Sequence, residues 1–215
     1  MQLNLRRDAG FTLIELLIVI VLLGLITVPL AGVVIAFSHN SAATADRLAV
    51  SHDAQIAGAY LARDVAGVGL RDYTVASAPS ATLPFMPSIE LGAAYNAGGR
   101  VCGTSATPAA AVRLLSDDWD TSASSATLRT DIVAYYVVDQ PGKPSTLHRI
   151  KCVGSATPIA DITLAHNVVP GSVAVTCSST CGAAALPQWV TLTFTASTPR
   201  VSALTVALTG QRRQE

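Results

Sequence analysis

One carboxylate, Glu15, stands in a stretch that is otherwise uncharged from Phe11 to Phe37. A charge at bilayer depth costs at least a few kcal/mol, so it is seldom there without a partner or a task. Four cysteines follow much later, at Cys102, Cys152, Cys177 and Cys181. An even number of thiols beyond a membrane span favours disulfides, and four allow three connectivities. Cys177-Ser-Ser-Thr-Cys181 is short enough to close on itself, which would leave Cys102 to pair with Cys152. Zinc is the alternative chemistry, but the spacing lacks paired Cys-x-x-Cys hooks and no histidine is adjacent. Asp117, Asp118 and Asp120 around Trp119 raise calcium. A calcium loop needs roughly six or more oxygen ligands with a chelating carboxylate further on, and Asp131 does not securely supply it. A solvated acidic turn is the expectation there. His39, His52, His148 and His166 share no spacing with a Cys, Asp or Ser that would make a nucleophile and base. Gly67-Val68-Gly69 is no phosphate loop, because no helix start with a lysine follows it. The residues predict no enzyme, no metal and no cofactor.

The elements that carry these residues begin with the apolar run. Leu16–Phe37 is 22 residues, enough to cross roughly 30 Å of hydrocarbon at about 1.5 Å per residue. Met1 to Gly10 precede it and carry Arg6 and Arg7, which by the positive-inside rule hold the N-terminus in the cytoplasm and send the rest outward. An ordinary signal peptide has a shorter apolar core with its cut site after it. A plain signal anchor fits the length and gives Glu15 no role. A lipoprotein needs a cysteine just after the run, and the first is Cys102. Beyond the membrane, Val50, Ala54, Ala57, Leu61, Val65 and Val68 form one helical face, with Asp46, Arg47, Asp53 and Arg63 off it. Gly67 and Gly69 end the pattern, so one helix runs from near Phe11 to about Ala66, loosened around Pro29 and Gly32.

Arg71 to Ser125 is rich in Ser, Ala, Pro and Gly and reads as loops and short irregular pieces. Strands are expected after it. Asp131–Asp139 is β-branched and aromatic, the cluster Gln140 to Pro144 turns, and Thr146–Val153 returns as its hairpin partner. Ser172–Thr176, Trp189–Thr195 and Leu204–Leu208 are further candidates, with Val190, Leu192 and Phe194 alternating against Thr191, Thr193 and Thr195. A long helix, membrane-spanning in its first half, packed on a C-terminal antiparallel β-sheet is an α+β architecture. The 14 basic and 14 acidic residues balance, which leaves no charge footprint for nucleic acid.

The run Gly10-Phe11-Thr12-Leu13-Ile14-Glu15 before a long apolar helix resembles the type IV pilin family, which includes type II secretion pseudopilins and competence pilins. The resemblance implies cleavage between Gly10 and Phe11 by a membrane-embedded prepilin peptidase, followed by methylation of the Phe11 amine. It implies a leader at 1–10, a membrane and filament-core helix at 11–37, its amphipathic continuation at 38–69 and an extracytoplasmic domain at 70–215. It also implies that the proline-containing stretch melts during assembly. Glu15 of one subunit would then neutralise the terminal ammonium of a neighbour, with other pilins and an inner-membrane assembly platform as partners. Leu61-Ala62-Arg63-Asp64-Val65 ending at Gly69 is similar to a segment of PilW-like minor pilins and J-type pseudopilins. So is Asp131 to Tyr136 followed by Leu147-His148-Arg149. Val68 stands where those proteins usually have Ala, and His148 replaces their commoner Tyr. A minor pilin is the expected role, with a J-like pseudopilin or a signal-anchored surface binding protein as alternatives.

Overall fold

The computed structural model describes residues 12–75 and 83–213. Its first element is α1, Leu13–Ala66, a helix of 54 residues that holds Pro29 in its interior. The chain divides between Ala45 and Asp46 into two compact units, and α1 contributes to both. In the first unit the large apolar side chains from Leu13 to Phe37 are all exposed. Among the described residues α1 is the one helix long and apolar enough to cross a membrane.

The second unit is built on an antiparallel sheet of 8 strands. The strands are β3 (Ile89–Ala93), β4 (Ala110–Asp120), β5 (Thr127–Val138), β6 (Ser145–Val153), β7 (Ala160–Val168), β8 (Ala174–Cys177), β9 (Trp189–Thr198) and β10 (Val201–Gln211). They lie in the order β10-β9-β7-β6-β5-β4-β3, with β8 paired to β9. β1 (Leu70–Arg71) and β2 (Phe85–Met86) form a separate short ladder.

The second half of α1 packs on one face of this sheet. Val50, Ala57, Leu61 and Val65, four members of the stripe read from sequence, enter one core with Val133, Tyr135, Leu147, Leu192 and Phe194. Adjacent residues of β5 point to opposite faces. Ile132, Ala134 and Tyr136 therefore join a second core with Leu115, Ile150, Cys102 and Cys152. Burial on both sides explains why β5 reads as a continuous apolar run rather than an alternation. Helix and sheet approach closely at Gly210, where an added Cβ would lie 2.6 Å from the Val65 Cβ and 2.9 Å from the Leu61 carbonyl oxygen.

The hairpin β5–β6 and the strand β9 lie where their patterns placed them, and β10 extends beyond the expected Leu204–Leu208 at both ends. Three expectations are corrected. Arg71 to Ser125 is not only loops and short irregular pieces, because it also holds β3 and the 11-residue β4, which pairs along most of its length with β5. Asp117, Asp118 and Asp120 lie on β4 rather than in a solvated turn. Arg129, across the ladder on β5, reaches Asp118 at 2.6 Å and Asp120 at 3.0 Å. Finally, β7 lies between β6 and β9 in the sheet where no strand was expected.

Candidate functional site

Gly10 and Phe11 lie outside the described residues. Glu15 lies in the first turn of α1, exposed, three residues after Thr12. Its backbone N–H donates to the Thr12 hydroxyl at 3.4 Å, and that hydroxyl donates to the Glu15 Oε2 at 3.5 Å. A carboxylate among the unpaired N–H groups of a helix start is favoured by the helix dipole. Thr-x-x-Glu at the head of an apolar helix is the capping-box pattern, and it gives Glu15 a local role that the sequence reading missed.

The second unit carries a buried polar cluster that ties α1 to the sheet. Asp64 accepts from Arg149 Nε at its Oδ2 and from Arg149 Nη2 at its Oδ1, both at 2.6 Å. Asp64 Oδ2 also accepts the Tyr135 hydroxyl at 2.6 Å. The Arg149 guanidinium carbon lies 4.9 Å from the centre of the Tyr60 ring, one turn earlier on the helix. The fork of Arg149 matches the carboxylate geometrically, and all its partners come from β5, β6 and α1. Asp64, Tyr135 and Arg149 belong to the stretches that carry the sequence resemblance, Leu61–Val65, Asp131–Tyr136 and Leu147–Arg149, and they meet across 71 and 85 residues of chain.

Two more acids of α1 reach the sheet. Asp53 Oδ2 accepts the His166 backbone N–H at 2.8 Å and lies 3.1 Å from its Nδ1, while Asp46 lies 3.7 Å from Arg200. Asp46 and Asp53 flank the apolar stripe, as the periodicity had them, but they are not merely solvated. Asp53 ties the helix to β7, whereas Asp46 faces only the turn between β9 and β10.

Burial, and next the charge of Asp64, push the Tyr135 hydroxyl far above the ordinary phenol range. Burial and then the hydrogen bond to Asp161 raise Tyr136 as well. A raised folded value leaves the fold stable below the unfolded tyrosine value of about 10 and weakens it as pH rises beyond. Unfolding in denaturant at pH 7 and at alkaline pH, with tyrosinate absorbance followed in parallel, reads this directly. Tyr135→Phe is expected to shrink the alkaline loss, with Tyr136 retaining part of it, and to cost about 1.5–3 kcal/mol at pH 7 for the lost bond to a carboxylate.

The four cysteines form two pairs at disulfide distance. Cys102 and Cys152 have sulfurs 2.07 Å apart, and Cys177 and Cys181 2.08 Å apart. The first pair lies in the core on the sheet face opposite α1 and ties the connection 100–109, which leads into β4, to β6. His148 stacks obliquely on Tyr136, with ring centres 5.5 Å apart, and its Nδ1 lies 3.5 Å from Asp161. Its Nε2 meets the hydroxyls of Thr146 at 3.0 Å and Thr163 at 3.3 Å.

Compared with known families, residues 5–31 match the family described as "Prokaryotic N-terminal methylation motif". No curated protein and no solved structure matches the chain. The matched motif spans Gly10, Phe11 and Glu15 and most of the apolar run. With the helix it heads, it supports a pilin-like protein with a single-pass anchor.

Proposed function

We propose that this chain is a minor pilin of a type IV pilus, made as a precursor and cut between Gly10 and Phe11. The observation that carries the reading is the matched motif, with Glu15 as the single charge in the span-length apolar run from Phe11 to Phe37. Prepilin peptidase removes the leader and methylates the freed amine of Phe11. The membrane then holds a mature subunit that begins one turn before Glu15, with its C-terminal domain outside the cytoplasm. Glu15 pairs with the terminal ammonium of a neighbouring subunit as the helices pack into a filament core. A buried carboxylate without a partner costs several kcal/mol, so the pair sets register without adding much affinity. Partners are the peptidase, other minor and major pilins and the inner-membrane assembly platform.

Size supports a minor component, because the sheet domain is large beside the helix that would pack in a filament. The Asp64–Tyr135–Arg149 cluster supports the same subgroup, since it joins the stretches that resemble PilW-like minor pilins. Those stretches are shared with J-type pseudopilins of type II secretion. Deleting the gene separates the machines: loss of surface pili with secretion intact supports the pilus, and the reverse supports the pseudopilin. A bulky residue at the cut site, Gly10→Leu, is expected to leave essentially all of the chain as uncut precursor on an immunoblot. Processing at the parental rate would place the junction elsewhere.

A further inference from the structure

On the sheet face opposite α1, the far end of β5 carries a polar group that the assembly reading leaves without a task. Tyr136 on β5, His148 on β6 and Asp161 on β7 stand side by side there. The Tyr136 hydroxyl donates to Asp161 and lies 2.9 Å from each of its carboxylate oxygens. His148 Nδ1 lies 3.5 Å from Asp161 Oδ1, and its Nε2 meets the hydroxyls of Thr146 and Thr163. Tyr136 is 4% exposed, whereas the Asp161 side chain is 47% exposed. A buried phenol thus holds a carboxylate at the surface.

That carboxylate lines a cavity of about 350 Å³. Val138 lines it from β5, and Ala106 and Pro108 line it from the connection 100–109. The connection is pinned in place without a ligand. Cys102 is joined to Cys152, and the Gly103 N–H donates to the Ala156 carbonyl at 2.9 Å. The Thr107 N–H donates to the Thr104 carbonyl at 2.9 Å, and the Thr104 N–H donates to the Thr107 hydroxyl at 3.0 Å. Gly103 has φ +93°, and a Cβ there would lie 2.5 Å from Thr107 Oγ1, so the turn requires glycine. A preformed hollow with apolar walls and a few placed polar groups is the usual form of a small-ligand site.

Charge selects the ligand. Among the described residues no lysine or arginine lines the cavity or pairs with Asp161, and His148 is its one ion-pair contact. A neutral polyol would use the acceptors and leave that charge unmet. A metal lacks ligands, because no group of three His, Cys, Asp or Glu side chains that could hold one occurs among the described residues. A guanidinium grips a carboxylate best as a fork across both oxygens. The Tyr136 hydroxyl, equidistant from the two, already occupies that approach. An ammonium is a point charge and needs one oxygen. We propose that this cleft binds an aliphatic ammonium, its charge on the Asp161 carboxylate and its methylene stem along Ala106, Pro108 and Val138. A lysine side chain of another polypeptide and a free diamine both carry that chemistry. The site lies within the sheet unit and does not depend on how the N-terminus is processed.

The test titrates the full-length chain, in a neutral detergent at low salt, with the aliphatic diamine cadaverine and with pentanediol, its uncharged counterpart. Calorimetry is expected to show saturable heat with the diamine and none with the diol. Asp161→Asn keeps an acceptor for Tyr136 and removes the charge, and should weaken diamine binding at least about tenfold. Ala106→Lys, at an exposed position of the wall, sets a competing ammonium in the cleft and should do the same. The second variant decides the matter should Asp161→Asn lose the fold by circular dichroism. No saturable heat, equal binding of the diol, or parental affinity in both variants overturns the proposal. Carbodiimide treatment of the native membrane then separates the sources, since it joins a carboxylate to an amine in contact with it. An adduct on Asp161 through a lysine of another chain assigns the ammonium to a protein partner. A chain that leaves the native membrane with a diamine bound, read by native mass spectrometry, assigns it to a free amine. Finding neither means binding at titration concentrations only and overturns the proposal.

Discussion

Asp64→Ala is expected to cost roughly 3–5 kcal/mol of stability, the usual penalty for stripping one partner from a buried ion pair. Both side chains are nearly inaccessible, with Arg149 at 6% and Asp64 at 5%. Removing the carboxylate leaves the Arg149 guanidinium against the Tyr60 ring alone and takes the acceptor from Tyr135. The loss falls where the second half of α1 meets β5 and β6, so the helix should loosen from the sheet before the sheet itself melts. For a chain of this size the penalty corresponds to a Tm drop on the order of 10 °C. Thermal unfolding of the full chain in detergent measures it. Replacing both charges, as in Asp64→Ala with Arg149→Met, should recover much of the loss, because an apolar pair of similar volume has no desolvation to offset. A drop below about 1 kcal/mol for Asp64→Ala alone would mean that water reaches the cluster and that it does not hold the helix.

Glu15→Val carries the second large effect, and it separates two roles for one residue. The variant should still be cut after Gly10, because the charge lies beyond the junction. Its incorporation into filaments, measured as the share of the chain in sheared pili or co-purified with other pilins, should fall at least about tenfold, since the neighbouring ammonium would be buried unpaired. Glu15 also closes the helix start with Thr12. Thr12→Ala distinguishes the roles: it removes the cap and keeps the charge, at a cost of about 1 kcal/mol in helix stability. If the pairing account holds, Thr12→Ala incorporates nearly normally and Glu15→Val does not. Equal defects would assign Glu15 to capping, and normal piliation by Glu15→Val would remove it from assembly altogether.

The parts of the fold legible in the sequence are those whose side chains face one way for a simple reason. Val50, Ala57, Leu61 and Val65 are buried because residues three or four apart on a helix meet the same sheet. β9 showed its alternation because Val190, Leu192 and Phe194 face the core while the threonines face out. β4 was hidden by its charges. Arg113 is 1% exposed, yet its guanidinium donates to the carbonyls of Ala94, Ala97 and Arg100 and lies 3.2 Å from Glu90. No local pattern announces partners that come from a loop folded over the strand. β7 failed for the same cause. Its Asp161 accepts from Tyr136 at 2.9 Å and its His166 meets Asp53 on the helix, so residues that look like loop polarity are cross-links between elements.

The candidate site divides in the same way. The lone carboxylate and the glycine before Phe11 are local signals and stand in the primary sequence. Asp64, Tyr135 and Arg149 lie inside the stretches that carry the resemblance, but their meeting is a property of the sheet, where β5 and β6 bring positions far apart in the chain under one turn of α1. The capping pair of Thr12 and Glu15 is a local signal too, legible in the spacing of three.

The most direct test of the central claim is the intact mass and N-terminal sequence of the protein taken from its native membrane. The account predicts a chain that begins at N-methylated Phe11, lacking Met1 to Gly10. A chain that retains Met1, or that begins after the apolar run, would contradict it.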